Sequence, residues 1–200
     1  MWVHIKKERC FGMANKRTKA LTEEQYRDII DTMREGFSGC RPNNRIATAL
    51  VLEANLGIRI SDILNLKLND IVKDGNRYRL DIVEIKTKKK RFFTVPLDIY
   101  SYIQSYCIEN DIRPDERIFP ITERAIQKQL KIVTDWLGYN DISTHSFRKF
   151  FATEIYKNND YNIILVQKLL QHSTPAVTQK YIGLSSKEIE TALEKHTQLR

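Results

Sequence analysis

Apolar residues recur at helical spacing along most of the chain, and the period changes once, between residues 78 and 95. The first helix opens at Thr22, where Thr22-Glu-Glu-Gln25 forms a capping box whose side chains can satisfy the first free backbone donors. Tyr26, Ile29, Ile30 and Met33 then follow at helical spacing. A second helix is predicted from about Asn44 to Asn55, with Ile46, Leu50 and Ala54 inward. Leu56-Gly57 stops it, since glycine tolerates a left-handed turn. Ser61 is expected to cap a short helix carrying Ile63, Leu64 and Leu66. Next, Tyr78, Leu80, Ile82 and Glu84 alternate with Arg79, Asp81, Val83 and Ile85. The basic run Lys86-Thr-Lys-Lys-Lys-Arg91 follows, then Phe92 to Val95, ended by Pro96. This is the pattern of a β-hairpin with lysines packed into its turn. Beyond Pro96 the chain reads as helices, starting at Asp98, at Thr122 (ending near Leu137-Gly138), at Ser143 or Thr144, at Asn162, and at Thr174-Pro175 through Tyr181. Ser185-Ser-Lys-Glu188 offers a further capping box for a C-terminal helix. The expected fold class is mainly α with one small antiparallel β-hairpin or sheet, α+β.

At 200 residues the chain fits a single domain. Residues 1–20 are basic and aperiodic (Lys6, Lys7, Arg9, Lys16, Arg17, Lys19) and are expected to form a flexible arm ahead of a domain over 21–200. No apolar run approaches the length of a membrane span, and the opening MWVHIKKERC is too short and interrupted for a secretory signal. Cys10, Cys40 and Cys107 form no CxxC pair and are odd in number, which argues against a disulfide framework and suits the cytoplasm. Charge adds the first functional hint. Lys and Arg number 33 against 25 Asp and Glu, a formal net charge of +8. That excess favours a polyanionic partner, and DNA, RNA or an acidic membrane surface would each serve.

Four segments can carry chemistry, and each also has a plain structural reading. Arg59 lies between a helix stop and a helix start among apolar neighbours, where a guanidinium can clamp a phosphate through two parallel hydrogen bonds. Asp62, three residues on, can orient a neighbouring group; alternatively the two form a simple ion pair. In the hairpin turn, Lys86 or one of Lys88, Lys89 and Lys90 can be aimed at one phosphate as a point charge or proton donor. Otherwise the run is a solvated surface. His145 and Arg148 share one face at a helix start, where free backbone N–H groups favour phosphate, or they are a cap and a surface arginine. His172 begins a turn, and Tyr181 follows nine residues later; both also fit structural roles. Taken together, two arginines, a lysine, two histidines and a tyrosine match what phosphoryl transfer to a tyrosine hydroxyl requires. The histidines and cysteines show no metal-ligand spacing, and no GxxxxGK[ST] loop is present, so neither metal nor nucleotide cofactor is expected.

In this order, LGIRISDILNLKLNDI, IKTKKKRFFTVPL, THSFRKFFAT and LLQHSTPAVTQKYIG resemble the arginine, lysine, His-x-x-Arg and His-to-Tyr boxes of the tyrosine recombinase family of phage integrases. The resemblance spans roughly residues 20–195 and implies the catalytic-domain fold of that family. It also implies a site-specific recombinase that cleaves and rejoins double-stranded DNA through a 3′-phosphotyrosine intermediate. Arg59, Lys86, His145, Arg148, His172 and Tyr181 would be catalytic, with Asp62 in support. Lys88, Lys89, Lys90, Arg91 and Lys149 are the expected DNA-contacting residues. Lys86 is preferred among the lysines because it precedes Thr87 as in relatives with a Lys-Thr pair. The resemblance further implies a tetramer on DNA from a chain that is monomeric alone, no membrane, and a tail helix at about 185–197 that docks on a neighbour. Twenty basic residues cannot form the helical core-binding domain usual at the family's N-terminus, so that domain is expected to be absent. A catalytically silent DNA-binding regulator on the same fold and a type IB topoisomerase-like strand transferase are the competing readings.

Overall fold

The helix at the centre of the molecule is apolar on nearly every side. In the computed structural model, which describes residues 18–183, α2 (Asn44–Leu56) buries Ile46, Ala47, Ala49, Leu50, Leu52, Ala54 and Leu56. A helix buried all round must be enclosed by others. Here α1 (Glu23–Glu35) and α6 (Thr144–Lys157) pack against it. The Thr22–Gln25 capping box forms as the sequence predicts, and Gly57 ends α2 at φ 59°. No larger residue fits there, because a Cβ on Gly57 would overlap the Phe151 ring of α6.

The next helix departs from expectation. α3 (Ile60–Ile63) begins two residues early, with Arg59 at its N-cap and Ser61 inside it. Ser61 therefore caps nothing. The sheet also has a strand the alternation did not reveal: β1 (Ile71–Asp74), β2 (Arg77–Val83) and β3 (Lys90–Val95) run antiparallel in that order. Gly75-Asn76 makes the two-residue first turn, with Gly75 at φ 58°, and a glycine at the first loop position suits a tight hairpin. Leu80 and Val95 seal one face of the sheet against the core, and Tyr78 stacks on Tyr100 of α4 (Leu97–Glu109). The remaining helices, α5 (Glu123–Trp136), α6, α7 (Ile163–Leu170) and α8 (Pro175–Ile182), start at Thr122, Ser143, Asn162 and Thr174 as predicted. The mainly helical fold with one small antiparallel sheet is thus as expected.

Two hydrophobic clusters result. The large one is built on α1–α5, the sheet and Phe147. A smaller one joins Ala152, Val166 and Leu170 with Phe151, Ile155, Tyr156, Tyr181 and Ile182. Part of the arm expected over residues 1–20 is tied down. The Lys149 ammonium donates to the Thr18 carbonyl at 2.5 Å, and Leu21 is buried. Residues 1–17 and the expected tail helix at 185–197 lie outside the described residues. Cys40 and Cys107 are free thiols, and among the described residues no helix is long and apolar enough to cross a membrane.

Gly57→Ala combines a left-handed backbone penalty with overpacking, and should cost roughly 2–4 kcal/mol of unfolding free energy in urea titration.

Candidate active site

The four segments converge where the two clusters meet. Arg59, as the N-cap of α3, leaves the main core with its side chain one-fifth exposed and its Nη1 donating to Glu84 Oε2 at 2.5 Å. The Arg59–Asp62 ion pair considered from sequence does not form. Asp62 instead accepts the Ile85 N–H at 2.8 Å, which fixes the turn just before Lys86. Burial raises the Asp62 carboxyl above its usual range, opposed by that N–H.

Glu84 organises the cluster. It is buried at the end of β2 and accepts from Arg59 and from the Thr87 hydroxyl, each at 2.5 Å, while Arg91 Nε pairs with it at 3.5 Å. Burial works against the charged carboxylate, yet the Thr87 and Arg59 hydrogen bonds and the Arg59 and Arg91 charges hold it below its ordinary value. Around the same carboxylate the turn folds back, with Lys88 N–H donating to Glu84 O and Glu84 N–H to Lys89 O. Lys86 stands exposed within this turn, close enough to His145 for the two charges to be felt.

Arg91 corrects an expectation. Placed from sequence among the DNA-contacting lysines, it is 2% exposed, and its Nη1 donates to the Leu169 carbonyl at the end of α7. Burial lowers the guanidinium to about 10, opposed by Glu84. Lys88, Lys89 and Lys90 are exposed, although Lys90 pairs with Asp81 at 3.1 Å. Lys149 is half-buried, its ammonium 5.4 Å from the centre of the Tyr181 ring as well as on Thr18.

From α6 comes Arg148, also buried, whose Nη2 donates to the Leu170 carbonyl at 3.2 Å. Its Nε and Nη1 have no hydrogen-bond partner. Burial lowers this guanidinium too, and Arg59 adds repulsion while Tyr181, Glu84 and Glu53 oppose it. On the same helix face His145 is more exposed. Its imidazole is lowered by burial of the ring and by Arg148 and is therefore neutral near pH 7.

The last pair is His172 and Tyr181. The α7 helix ends at Gln171 in a left-handed turn, and His172 follows with Nδ1 3.1 Å from the Thr178 hydroxyl of α8. The His172 ring meets Tyr181 edge-on at 5.0 Å. Burial and the charges of Arg148, Arg59 and Arg91 lower His172 to about 4. Burial pushes the Tyr181 phenol up to about 12, and Arg148 opposes that rise. Three guanidinium groups thus share a small volume with the Glu84 and Asp62 carboxyls, two neutral imidazoles and a phenol. Such a surplus of fixed positive charge suits an oxyanion that gains charge during reaction. Among the described residues no cluster of His, Cys, Asp or Glu is arranged to hold a metal ion.

Sequence reasoning missed Glu84 and the role of Arg91. The signal for Glu84 was present, since an acidic residue fell in phase with Tyr78, Leu80 and Ile82 on the inward face of β2.

The profile of the phage integrase family matches residues 19–188. The probable integrase/recombinase YoeC of Bacillus subtilis is 31% identical over 149 residues, covering 71% of this chain and 79% of YoeC. Tyrosine recombinase XerA of Pyrococcus furiosus is 25% identical over 187 residues, 88% of this chain and 61% of XerA. Among solved structures, XerH site-specific recombinase bound to palindromic difH substrate in a post-cleavage complex superposes with a TM-score of 0.66 at 20% identity, over 91% of this chain and 55% of XerH. The chain therefore spans about three fifths of XerA and little more than half of XerH.

Two outcomes follow for stability. Glu84→Gln leaves buried Arg91 without its counter-charge and should cost about 3 kcal/mol in urea titration. His172 takes up its proton near 6.5 when unfolded and only near 4 when folded, so the unfolded state binds more protons between those values. Stability should fall as pH is lowered through that window, and His172→Gln should flatten the slope there.

Proposed function

The chain belongs to the phage integrase family, and from that premise we propose that it is a site-specific recombinase that cuts and rejoins double-stranded DNA through a 3′-phosphotyrosine link on Tyr181, without metal or ATP. The observation that carries the reading is the charge surplus beside the phenol, where Arg59, Arg91 and Arg148 outnumber the Glu84 and Asp62 carboxyls. A phosphodiester supplies the missing negative charge and gains more of it as the reaction proceeds.

In this scheme Arg59 and Arg148 hold the non-bridging oxygens. Arg148 is suited to the task because two of its donors are unspent. The Tyr181 oxygen attacks phosphorus and the bond to the 5′ oxygen breaks, leaving a phosphotyrosine ester and a 5′ hydroxyl. The phenol proton passes to neutral His145, and Lys86 protonates the leaving oxygen. Support for Lys86 comes from its nearness to His145 and from the Thr87–Glu84 and Ile85–Asp62 hydrogen bonds on either side of it. His172 hydrogen-bonds the phosphate. Energy stored in the ester drives rejoining when the 5′ hydroxyl returns. A phenol raised to about 12 is a poor nucleophile in the resting protein, so ionisation waits until phosphate and base are both in place.

The DNA partner is supported by the net charge of +8 and by exposed Lys86, Lys88 and Lys89 beside the site. XerH, similar in fold, was solved on its difH substrate. Residues 21–200 then form the catalytic domain, working as a tetramer on two duplexes.

The test is a covalent trap. DNA flanking the gene, nicked or carrying a 5′-bridging phosphorothiolate, is incubated with the protein and analysed on a denaturing gel. A slow-migrating adduct is expected with the wild-type protein, none with Tyr181→Phe, and about 100-fold slower formation with Arg148→Ala. Binding to the same DNA without an adduct would favour a silent DNA-binding regulator.

A further inference from the structure

Glu53 has no place in the scheme above, yet it is the least expected residue in the interior. It lies near the C-terminus of α2, wholly buried in a helix that also buries Leu50, Leu52 and Leu56, and neither carboxyl oxygen makes a hydrogen bond of normal length. Burying a carboxyl without partners costs several kcal/mol, and leucine would suit such surroundings better. The basic group that most strongly opposes this burial is unsatisfied in the same way. Arg148, on the helix packed against α2, spends only Nη2, on the Leu170 carbonyl, and keeps buried Nε and Nη1 unpaired. The two side chains attract one another, and the backbone N–H of Ile60 is also directed towards the Glu53 carboxyl. Ile60 is the first residue of α3, immediately after Arg59.

We propose that Glu53 is a positioning residue that backs the Arg148 guanidinium and ties it to the start of α3, so that Arg148 and Arg59 keep a fixed relation. Its consequence for catalysis rests on the strand-transfer reading; its effect on Arg148 does not. Burial pushes the Glu53 carboxyl well above its usual range, with Arg148 and the Ile60 N–H opposing and Glu123 of α5 adding to the rise. A carboxyl shifted in that direction holds its proton more readily than an exposed one, and when protonated it can both donate and accept a hydrogen bond. In that form it orients the guanidinium without cancelling its charge, which stays available to an anion.

The test compares Glu53→Gln, which keeps shape and hydrogen bonding, with Glu53→Leu, which keeps only volume. The first readout needs no DNA: solvent exchange of the Arg148 Nε–H by NMR, the resonance being assigned through its loss in Arg148→Lys. Exchange should accelerate at least tenfold in Glu53→Leu and stay within threefold of wild type in Glu53→Gln. The second readout is the rate of adduct formation on the trapping DNA, which should fall at least tenfold in Glu53→Leu at unchanged DNA affinity and be largely restored by Gln. Should Glu53→Leu not fold, the melting-temperature shifts of Glu53→Gln and Arg148→Lys should fail to add in the double variant. Unchanged Arg148 exchange in a folded Glu53→Leu, or additive shifts, would overturn the proposal. If wild type forms no adduct while the exchange result holds, the strand-transfer reading fails and the positioning role stands.

Discussion

Guanidinium groups packed side by side repel one another, and in a protein interior that repulsion is not relieved by water. Here one carboxylate makes the arrangement tenable. Glu84 receives Arg59 at 2.5 Å and Arg91 at 3.5 Å, and a further donor, the Thr87 hydroxyl, fixes the hairpin turn to the same group. Without that shared acceptor Arg91 would be a buried charge with no counter-ion, a far costlier state than an exposed ion pair. The carboxylate compensates only part of the positive charge, however. What remains is directed at the space beside Tyr181, so the interaction that stabilises the cluster also leaves it primed for an anion.

The fold supplies the geometry by holding three separate elements to this group. Arg59 arrives at a helix start, Arg91 on a strand, and Arg148 on a helix packed against the central α2. Tyr181 and His172 arrive with the smaller cluster of α6, α7 and α8. The site therefore lies on a seam between two apolar assemblies, and its polar groups are what crosses that seam. Low pKa values for both histidines follow from the same surroundings, because burial and nearby guanidiniums each disfavour imidazolium.

Much of this was legible in the sequence wherever a local rule governs local structure. The Thr22 capping box, the Gly57 stop and the starts at Thr122, Asn162 and Thr174 all depend on neighbours in the chain, and all are found. The grouping of Arg59, Arg148, His172 and Tyr181 was legible from their order in four boxes. What escaped were residues whose meaning is set by distant partners. Arg91 sits at the end of a lysine run that reads as solvated surface, yet its guanidinium reaches a carbonyl 78 positions away. Asp62 was matched with the arginine three residues before it, whereas its partner is a backbone N–H in the hairpin. Ser61 failed for the opposite reason: the cap moved to Arg59 because the helix began two residues sooner. β1 was missed because, within it, only Ile71 is buried, so its four residues carry no alternation to detect.

The two arginines that reach the end of α7 both do so through main-chain oxygens, Arg91 to Leu169 and Arg148 to Leu170, and the Gln171 amide returns the contact by donating to the Lys90 carbonyl. A carbonyl is present whatever residue carries it. Positions 169 and 170 can therefore drift among apolar side chains over evolutionary time without erasing the acceptors that hold α7 to the hairpin and to α6, while a change at 91 or 148 to a side chain without a donor loses the bond outright.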